Sequence, residues 1–360
     1  MLNIEEAHRL GQLAGDGKFT KLCESWLEEN LNCKKVLLTH SCTAALEMCA
    51  LLAGIKPGDE IIMPSFTFVS TANAFCLRGG TPVFVDIRSD TMNLNEKLLE
   101  SAVTPKTKAI VAVHYAGVAC DMVFLQSLCK KSKLLLIEDA AQALGSEYAG
   151  KKLGTFGDLA TLSFHETKNV ISGEGGALLI NNDTFCKRAE IIREKGTDRT
   201  SFQRGEREKY TWQDLGSSYL PGELIAAFLY AQLNSIQKIN RSKLEIWHGY
   251  YDGLKSLEKN GKIRLPIISD LCSHNGHIFY ILVENEKTRT ELIKYLNKKG
   301  IHSVFHYIPL HSSPAGIKYC RKIGNLSVTE DISSRLLRLP SWVGLSNNRV
   351  IKSIHEFYSK

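Results

Sequence analysis

Several features of other protein classes are missing from this 360-residue sequence. No apolar run is long enough to cross a bilayer, and residues 1–6 lack the basic and apolar regions of a signal peptide. The ten cysteines include no Cys-x-x-Cys pair, and their scatter is typical of a reducing compartment rather than of a disulfide framework. These absences predict a cytoplasmic protein without a membrane anchor.

A basic surface for nucleic acid is also missing. The formal net charge is +7, but the Lys-Lys pairs are dispersed along the chain, and no basic stripe is interleaved with aromatic residues. The apolar share of 44% and the charged share of 23% are those of an ordinary globular protein. A small anionic ligand therefore explains the positive charge better than a nucleic acid does.

Seven apolar segments predict the strands of one sheet. Near-continuous apolar strands that alternate with helices are typical of a mostly parallel sheet covered on both faces. The helices are predicted around residues 19–30, 41–53, 71–78, 95–103 and 123–131. The predicted strands are residues 35–39, 60–63, 82–86, 108–113, 133–137, 159–162 and 177–180.

The pattern changes near residue 235. A long helical stretch over 222–258 leads to mixed elements, with a strand within 276–283 and helices near 287–299 and 346–358. We therefore predict a large α/β domain over residues 1–235, which binds the ligand, and a smaller α+β domain over residues 236–360.

Polar residues follow four of the predicted strands, where an open α/β sheet binds its ligands. They are residues 65–68, 114–117, 138–142 and 163–168. Asp139 follows a buried strand, and a carboxylate there needs a partner. Lys168 carries an amine that can form a Schiff base once its pKa is lowered. Each residue alone is also compatible with a cap or a turn.

Together these residues are the parts of a pyridoxal phosphate site. Such a site needs a carboxylate for the pyridine nitrogen, a lysine for the aldehyde and N–H groups for the phosphate. Ser41 precedes a helix that directly follows a strand, which suits an anion site, although a plain N-cap explains it equally well.

Other kinds of site find less support in the sequence. His302, His306 and His311 lack an acidic or thiolate companion at a common zinc spacing, so no metal is predicted. Residues 173–176 do not form a dinucleotide fingerprint. Residues 195–210 are expected to form a mobile loop, and a diphosphate contact by one of its arginines, Arg199 among them, is a hypothesis.

The chain resembles the sugar-nucleotide aminotransferases of the DegT/DnrJ/EryC1/StrS type, from about Gly15 to the C-terminal region. The resemblance implies the aspartate-aminotransferase fold, which is fold type I of the pyridoxal phosphate enzymes. It is carried by the motifs at residues 41–46, 63–70, 85–86, 114–117, 138–142, 163–168, 173–176 and 306–311.

The resemblance also implies roles for individual residues. Lys168 would form the Schiff base and move the proton, while Asp139 would pair with the pyridine nitrogen. Gln142 would contact the 3-hydroxyl of the cofactor ring, and Phe68 would stack on the ring. The backbone amides of Cys42 and Thr43 and the hydroxyl of Ser163 would bind the phosphate. His165 would line the site, and the loop of His306 and Tyr307 would reach the sugar nucleotide.

The resemblance further implies a homodimer with shared active sites, in which Ser218 reaches the phosphate bound by the other subunit. Residues 194–197, 210–212 and 216–220 resemble the subgroup that aminates dTDP-4-keto-6-deoxy-D-glucose with L-glutamate to give dTDP-4-amino-4,6-dideoxy-D-galactose for bacterial surface polysaccharides. Formation of the 4-amino-4,6-dideoxyglucose or of a 3-amino sugar remains open. A non-catalytic sensor or scaffold on the same fold is the alternative from another class.

Overall fold

The computed structural model describes residues 1–359. The strands are β1 (Lys35–Thr39), β2 (Glu60–Pro64), β3 (Thr81–Val85), β4 (Thr107–Val113), β5 (Leu135–Asp139), β6 (Glu147–Tyr148), β7 (Lys151–Lys152), β8 (Leu159–Ser163), β9 (Gly176–Ile180), β10 (Ile263–Arg264), β11 (Cys272–Ser273), β12 (Phe279–Val283), β13 (Val304–Phe305), β14 (Arg321–Lys322) and β15 (Leu336–Leu339).

The helices cover both faces of the main sheet and the outside of a smaller one. They are α1 (Leu2–Leu10), α2 (Lys18–Leu31), α3 (Cys42–Leu52), α4 (Val69–Cys76), α5 (Leu99–Ala102), α6 (Met122–Ser132), α7 (Cys186–Arg193), α8 (Arg199–Gln203), α9 (Glu223–Leu233), α10 (Ile236–Lys259), α11 (Glu286–Lys298), α12 (Pro314–Tyr319), α13 (Ser327–Arg335) and α14 (Asn348–Tyr358).

The main sheet has eight strands in the order β1-β9-β8-β5-β4-β2-β3-β14. The pairings are parallel except for the two that β9 makes with β1 and β8. Side chains alternate between the two faces of a strand. In β1, Val36 and Leu38 therefore join the core beneath α2, α6 and α9, while Leu37 joins the core beneath α3, α4 and α7. Burial on both faces explains the near-continuous apolar runs of the sequence.

The predicted α/β fold with a mostly parallel sheet is confirmed, and all seven predicted strands are present. The eighth strand, β14, was not predicted, because two basic residues at a sheet edge give no apolar signal. The strand predicted to begin at Lys133 begins at Leu135, because Lys133 ends α6 with a positive φ of 54°. Glu138 and Asp139 are consequently the last residues of β5 rather than the residues after it.

The predicted helices differ in detail from the observed ones. The stretch 222–258 is two helices, α9 and α10, which are separated at Asn234 and Ser235. The predicted loop 195–210 contains the short helix α8. None of the helices within residues 1–359 combines the length and the apolar character that a bilayer span requires.

A second sheet lies in the C-terminal part of the chain, in the order β10-β12-β15-β13, with antiparallel pairing throughout. One face packs on α10, α11 and α14 around Phe279, Ile281 and Leu337. The opposite face packs on the main domain through Tyr280 and Leu336, in a cluster with Phe66 and Tyr115. This contact places the small sheet beside the carboxyl ends of the main-sheet strands. The proposed boundary at residue 235 remains a prediction.

Candidate active site

A cavity of about 560 Å³ lies at the carboxyl ends of the main-sheet strands. The main domain contributes strand ends, the first residues of α3 and α4, and the loop after β8. The small domain closes the other side with His277, Ile278, His306, Tyr307 and Arg338. Of the residues predicted for the site, those that line the cavity are Cys42, Thr43, Phe68, Asp139, Gln142, Ser163, His165, Lys168, His306 and Tyr307.

Lys168 lies on a loop that is tightly fixed at its base. The amide of Phe164 donates to Gly175 O (2.8 Å), the amide of Ser172 donates to Phe164 O (2.7 Å), and the ring of Phe164 is fully buried. The Lys168 amide donates to His165 O (2.9 Å), which forms a turn. The protein therefore holds the lysine backbone in place independently of any ligand.

The environment of Lys168 favours an uncharged amine. Burial lowers its pKa below the usual value of a lysine, the negative charge of Asp139 opposes this shift, and the positive charge of Arg338 adds to it. Among the described residues the amine has no hydrogen bond or ion pair. The uncharged amine is the nucleophilic form that attacks an aldehyde, and a lowered pKa increases the share of this form.

Asp139 ends β5 with its carboxylate almost fully buried. Thr71 Oγ1 donates to Oδ2 (2.7 Å), and the amide of Ala141 donates to Oδ1 (3.2 Å). Thr71 is in turn bonded to Thr67 through their hydroxyls (2.8 Å). No cation pairs with Asp139 within residues 1–359. The carboxylate is thus oriented by the start of α4 and still has lone pairs free for a donor in the cavity.

The neighbouring carboxylate, Glu138, has a structural position behind the cavity. It is fully buried and accepts from the amides of Gly154 (2.8 Å), Phe156 (2.7 Å) and Gly157 (2.7 Å). Its Oε2 also lies 2.9 Å from Nε2 of the buried His114. Glu138 therefore ties β5 to the loop after β7 and to the end of β4, and so fixes the strand end that presents Asp139.

The N-terminus of α3 forms one corner of the cavity. Ser41 Oγ accepts from the amide of Ala44 (3.1 Å), so Ser41 is the N-cap. The next amides, those of Cys42 and Thr43, have no acceptor within the helix and lie at its positive end. The two interpretations of Ser41 from the sequence, an N-cap and part of an anion site, are therefore compatible, because the cap leaves these two amides available.

A glycine allows α3 to come this close to the sheet. A Cβ on Gly176, the first residue of β9, would lie 2.4 Å from the amide nitrogen of Cys42. The hydroxyls of Thr43 and Ser70 lie 2.8 Å apart at the same corner, and Ser163 also lines the cavity. The corner thus offers amides and hydroxyls, which are the donors that a phosphate group needs.

The thiol of Cys42 is not a nucleophile in this setting. Burial raises its pKa to about 12, and the charge of Asp139 acts in the same direction. A thiol with such a pKa stays protonated at neutral pH. Cys42 therefore contributes its backbone amide to the corner rather than reactive sulfur.

Aromatic side chains form the wall between the two domains. Gln142 Oε1 accepts from the amide of Ala116 (2.7 Å), and its Nε2 donates to the hydroxyl of Tyr307 (2.9 Å). The hydroxyl of Tyr115 lies 3.1 Å from Nδ1 of His306. Burial raises the pKa of Tyr307 and lowers that of His306 to about 2, so both side chains are neutral at neutral pH.

Three of the predicted side chains lie at the edge of the cavity or outside it. Phe68 lies at the mouth of the cavity and is 58% exposed. Ser218 and Arg199 do not line the cavity. Ser218 forms an isolated bridge with Glu194, and the guanidinium of Arg199 lies 2.9 Å from the carboxylate of the same Glu194.

The other arginines of the segment 195–210 also have carboxylate partners. Arg204 pairs with Glu190 (2.9 Å), and Arg207 pairs with Asp198 (3.2 Å). These arginine side chains remain 42–51% exposed beside their partners, and a diphosphate contact by this segment remains a prediction. For metals, residues 1–359 contain no cluster of three or more His, Cys, Asp or Glu side chains suited to an ion.

Sequence reasoning missed Thr71, His277 and Arg338. Thr71 lies in the first turn of α4, where a threonine is expected to be an ordinary capping residue. His277 and Arg338 belong to the small domain, whose approach to the main sheet no local pattern reveals. One signal was available: Arg338 is the only charged residue in the apolar strand Leu336–Leu339.

Comparison with known proteins agrees with this arrangement. The model of the DegT/DnrJ/EryC1/StrS aminotransferase family matches residues 1–357. The GDP-perosamine synthase of Escherichia coli O157:H7 is 33% identical over 351 residues, which cover 96% of this chain and 92% of the relative.

Two solved structures share the fold over nearly the whole chain. PseC of Helicobacter pylori, an aminotransferase of pseudoaminic acid biosynthesis, superposes with a TM-score of 0.90 at 28% identity and covers 99% of this chain and 95% of its own. The putative sugar aminotransferase Spr1654 of Streptococcus pneumoniae in its PLP form gives a TM-score of 0.90 at 26% identity and covers 99% and 94%. The match to the family model over residues 1–357 agrees with the lysine, the carboxylate and the helix N-terminus at the sheet edge. This chain belongs to the DegT/DnrJ/EryC1/StrS aminotransferase family.

Proposed function

We propose that this protein transfers an amino group from L-glutamate to a nucleotide-linked keto sugar. The observation that carries the proposal is the convergence of Lys168, Asp139 and the N-terminus of α3 on one cavity. A non-catalytic sensor or scaffold has no need of a partly desolvated lysine close to a buried carboxylate, because both groups cost free energy to bury.

The cofactor is pyridoxal 5′-phosphate. The residues present fit it: the α3 corner, whose close approach depends on Gly176, would hold the phosphate with Thr43, Ser70 and Ser163, and Asp139 would face the pyridine nitrogen. When bound, the cofactor supplies an aldehyde that condenses with amines and a ring that takes up the electron pair of a neighbouring carbon.

The side chains of the chain have separate tasks in this reaction. Lys168 Nζ would hold the cofactor between turnovers, and its free amine would take a proton from one carbon and return it to another. The Asp139 carboxylate would accept a hydrogen bond from the cofactor ring, and Thr71 keeps that carboxylate oriented. The hydrogen bond from Gln142 to Tyr307 holds the aromatic wall in place on the small-domain side of the cavity.

The acceptor that we propose is a nucleotide-linked 4-keto-6-deoxyhexose. Residues 194–197, 210–212 and 216–220 support dTDP-4-keto-6-deoxy-D-glucose, with dTDP-4-amino-4,6-dideoxy-D-galactose as the product. The 33% identity with a GDP-perosamine synthase favours a GDP-linked sugar as the second candidate. The position and the stereochemistry of the new amine depend on one or two pocket contacts, which discriminate between related sugars only modestly.

The assembly that we propose is a homodimer with shared active sites. Ser218 lies in an exposed segment outside its own cavity, which suits a contact with the phosphate of the other subunit. Exposed apolar side chains such as Phe68, Val69, Trp212 and Leu215 are candidates for burial between subunits. Sedimentation checks the assembly: a fully active monomer would refute it.

Two measurements test the function. The first is the absorption spectrum of the purified protein with and without L-glutamate, followed by borohydride reduction and peptide mapping. We expect a visible band that glutamate bleaches and a label on Lys168; a label on another lysine contradicts the assignment. The second is NMR of the products from dTDP-linked and GDP-linked 4-keto-6-deoxyhexoses. An axial C4 amine on the dTDP sugar is expected, and an amine at C3 would exclude the proposed product.

A further inference from the structure

The side chain of Asn169 fastens the lysine loop, residues 165–171, to the small domain. Its Nδ2 donates to Oδ1 of Asn240 on α10 (2.9 Å) and to the backbone oxygen of Asn275 (2.9 Å). Its Oδ1 lies 3.2 Å from Nδ1 of His277. Because an amide oxygen only accepts, the His277 ring carries its proton on Nδ1 and donates it to Asn169. Both ends of this one amide are therefore satisfied by groups of the small domain.

The link continues to the segment that follows Asp139. Asn275 Nδ2 donates to the backbone oxygens of Gln142 (2.9 Å) and Leu144 (3.1 Å). Asn240 Nδ2 makes a longer contact with the same oxygen of Leu144 (3.4 Å). The lysine loop and the segment after Asp139 are thus joined through two asparagines of the small domain.

Two glycines of the main domain make room for these asparagines. A Cβ on Gly117 would lie 2.3 Å from Oδ1 of Asn275, and a Cβ on Gly145 would lie 2.4 Å from Nδ2 of Asn240. The two glycines have positive φ angles of 79° and 88°, which other residues rarely adopt. The contact between the asparagines and the main domain therefore depends on a close fit at these positions.

No other residue of the lysine loop is fastened in this way. Within residues 1–359, Asn169 alone among residues 165–171 forms hydrogen bonds outside the segment 163–176. The amine of Lys168 has no hydrogen-bond partner among the described residues, so its position depends on the backbone that carries it. Asn169 does not line the cavity, so it has no contact with a ligand there.

We propose that Asn169 is a positioning residue, which holds the amine of Lys168 at a set distance from the carboxylate of Asp139. This inference rests on the proposed function, in which that amine moves a proton within a ligand oriented by Asp139. Proton transfer requires hydrogen-bond distances between heavy atoms, and a displacement of about 1 Å can lower the rate about a hundredfold. Replacing Asn169 would keep every group that lines the cavity but would hold the amine less firmly.

Asn181 provides the matched control, because its amide has the same kind of bonds in another place. Its Nδ2 donates to the backbone oxygens of Gly154 (3.0 Å) and Gly157 (2.8 Å), and it lies outside the cavity. Asn169 and Asn181 are both half-buried. The two alanine variants should therefore lose similar unfolding free energy, whereas only Asn169→Ala should affect the lysine loop.

Hydrogen exchange of the purified protein, followed by mass spectrometry, tests the fastening without turnover. In Asn169→Ala, the amides of residues 164–172 should exchange about tenfold faster than in wild type or more, because the loop separates from the small domain more often. In Asn181→Ala these amides should exchange as in wild type, and the faster exchange should lie around residues 154–158.

Kinetics with L-glutamate test the positioning. Asn169→Ala should lower kcat about tenfold or more and leave KM within about threefold, since the groups that line the cavity are unchanged. The isotope effect with α-deuterated glutamate should rise, because a displaced amine slows proton transfer relative to the other steps. Asn240→Ala removes one anchor and keeps the contact with His277, so it should lower kcat less. Asn181→Ala should keep the kcat of wild type.

The outcomes separate the two proposals. Wild-type kcat in Asn169→Ala, or exchange of residues 164–172 at the wild-type rate, overturns the role of Asn169 and leaves the proposed function intact. If Asn169→Ala does not fold, Asn240→Ala decides, and a wild-type kcat and isotope effect in that variant overturn the inference. A wild-type protein without the cofactor band overturns the proposed function, whereas the exchange measurement still decides whether Asn169 fastens the lysine loop.

Discussion

The two walls of the cavity differ in how their charges are satisfied. On the sheet side, the protein supplies two hydrogen-bond partners to the carboxylate of Asp139 and four to that of Glu138 behind the cavity, although the amine of Lys168 has none among the described residues. On the small-domain wall, Arg338 has none, and His306 is held neutral. The carboxylates on the sheet side thus keep their geometry with or without a ligand, whereas Arg338 on the small-domain wall has no carboxylate partner within residues 1–359.

This contrast suggests a division of tasks between the domains. Groups fixed by main-chain amides keep their positions precisely, which suits the residues that hold a permanent cofactor. Groups whose charge is unsatisfied gain more from a ligand that binds and leaves. Substitutions on each wall test whether the two walls differ in this way.

The largest effect is expected for Lys168→Ala. Turnover should fall by at least about a thousandfold, because no other described amine lines the cavity to move the proton. The free energy of unfolding should be unchanged or higher, since a lysine with a lowered pKa is destabilised by its burial. Steady-state kinetics and thermal unfolding measure the two quantities. Loss of folding together with activity would contradict this separation.

Asp139→Asn should lower turnover by about a hundredfold or more, while the protein stays folded. The amide oxygen of asparagine can still accept from Thr71 and Ala141, but a neutral side chain cannot stabilise a positive ring nitrogen. Kinetics at several pH values and circular dichroism provide the test. Near-normal turnover in the variant would exclude the electron-sink role of Asp139.

Glu138→Ala should show the opposite profile, with its main effect on stability. Removing the carboxylate leaves three buried amides and His114 without their acceptor, and breaking a buried network of this kind costs about 3–5 kcal/mol of unfolding free energy. Glu100→Ala is the control, because the exposed Glu100–Lys131 pair should contribute no more than about 1 kcal/mol. Similar denaturant midpoints for the two variants would contradict the structural role of Glu138.

The sheet wall could be predicted from the sequence, whereas the small-domain wall could be predicted only in part. Asp139 and Lys168 follow long apolar runs, so their strands and their common edge can be read locally. His306 and Tyr307 were found only through the family resemblance. Arg338 was missed, because its position depends on how the small sheet packs against Phe66 and Tyr115, a contact between residues far apart in sequence.

The smallest effect concerns Lys243, which is buried and donates to Ser341 O (2.7 Å). Burial lowers the pKa of Lys243 to about 8, and the charge of Arg338 acts in the same direction. An unfolded lysine has a pKa of about 10.4. The unfolded state therefore binds more protons between these values, so wild type should gain stability relative to Lys243→Met as pH rises from about 8 to 10.4.

The gain should not exceed about 1.4 kcal/mol per pH unit, which corresponds to one proton. Urea unfolding of wild type and Lys243→Met at a series of pH values measures it, and Lys294→Met, which changes an exposed lysine on α11, is the control. A slope that is the same in all three proteins would mean that neither burial nor the charge of Arg338 lowers the pKa of Lys243, which would remove one of the differences between the two walls.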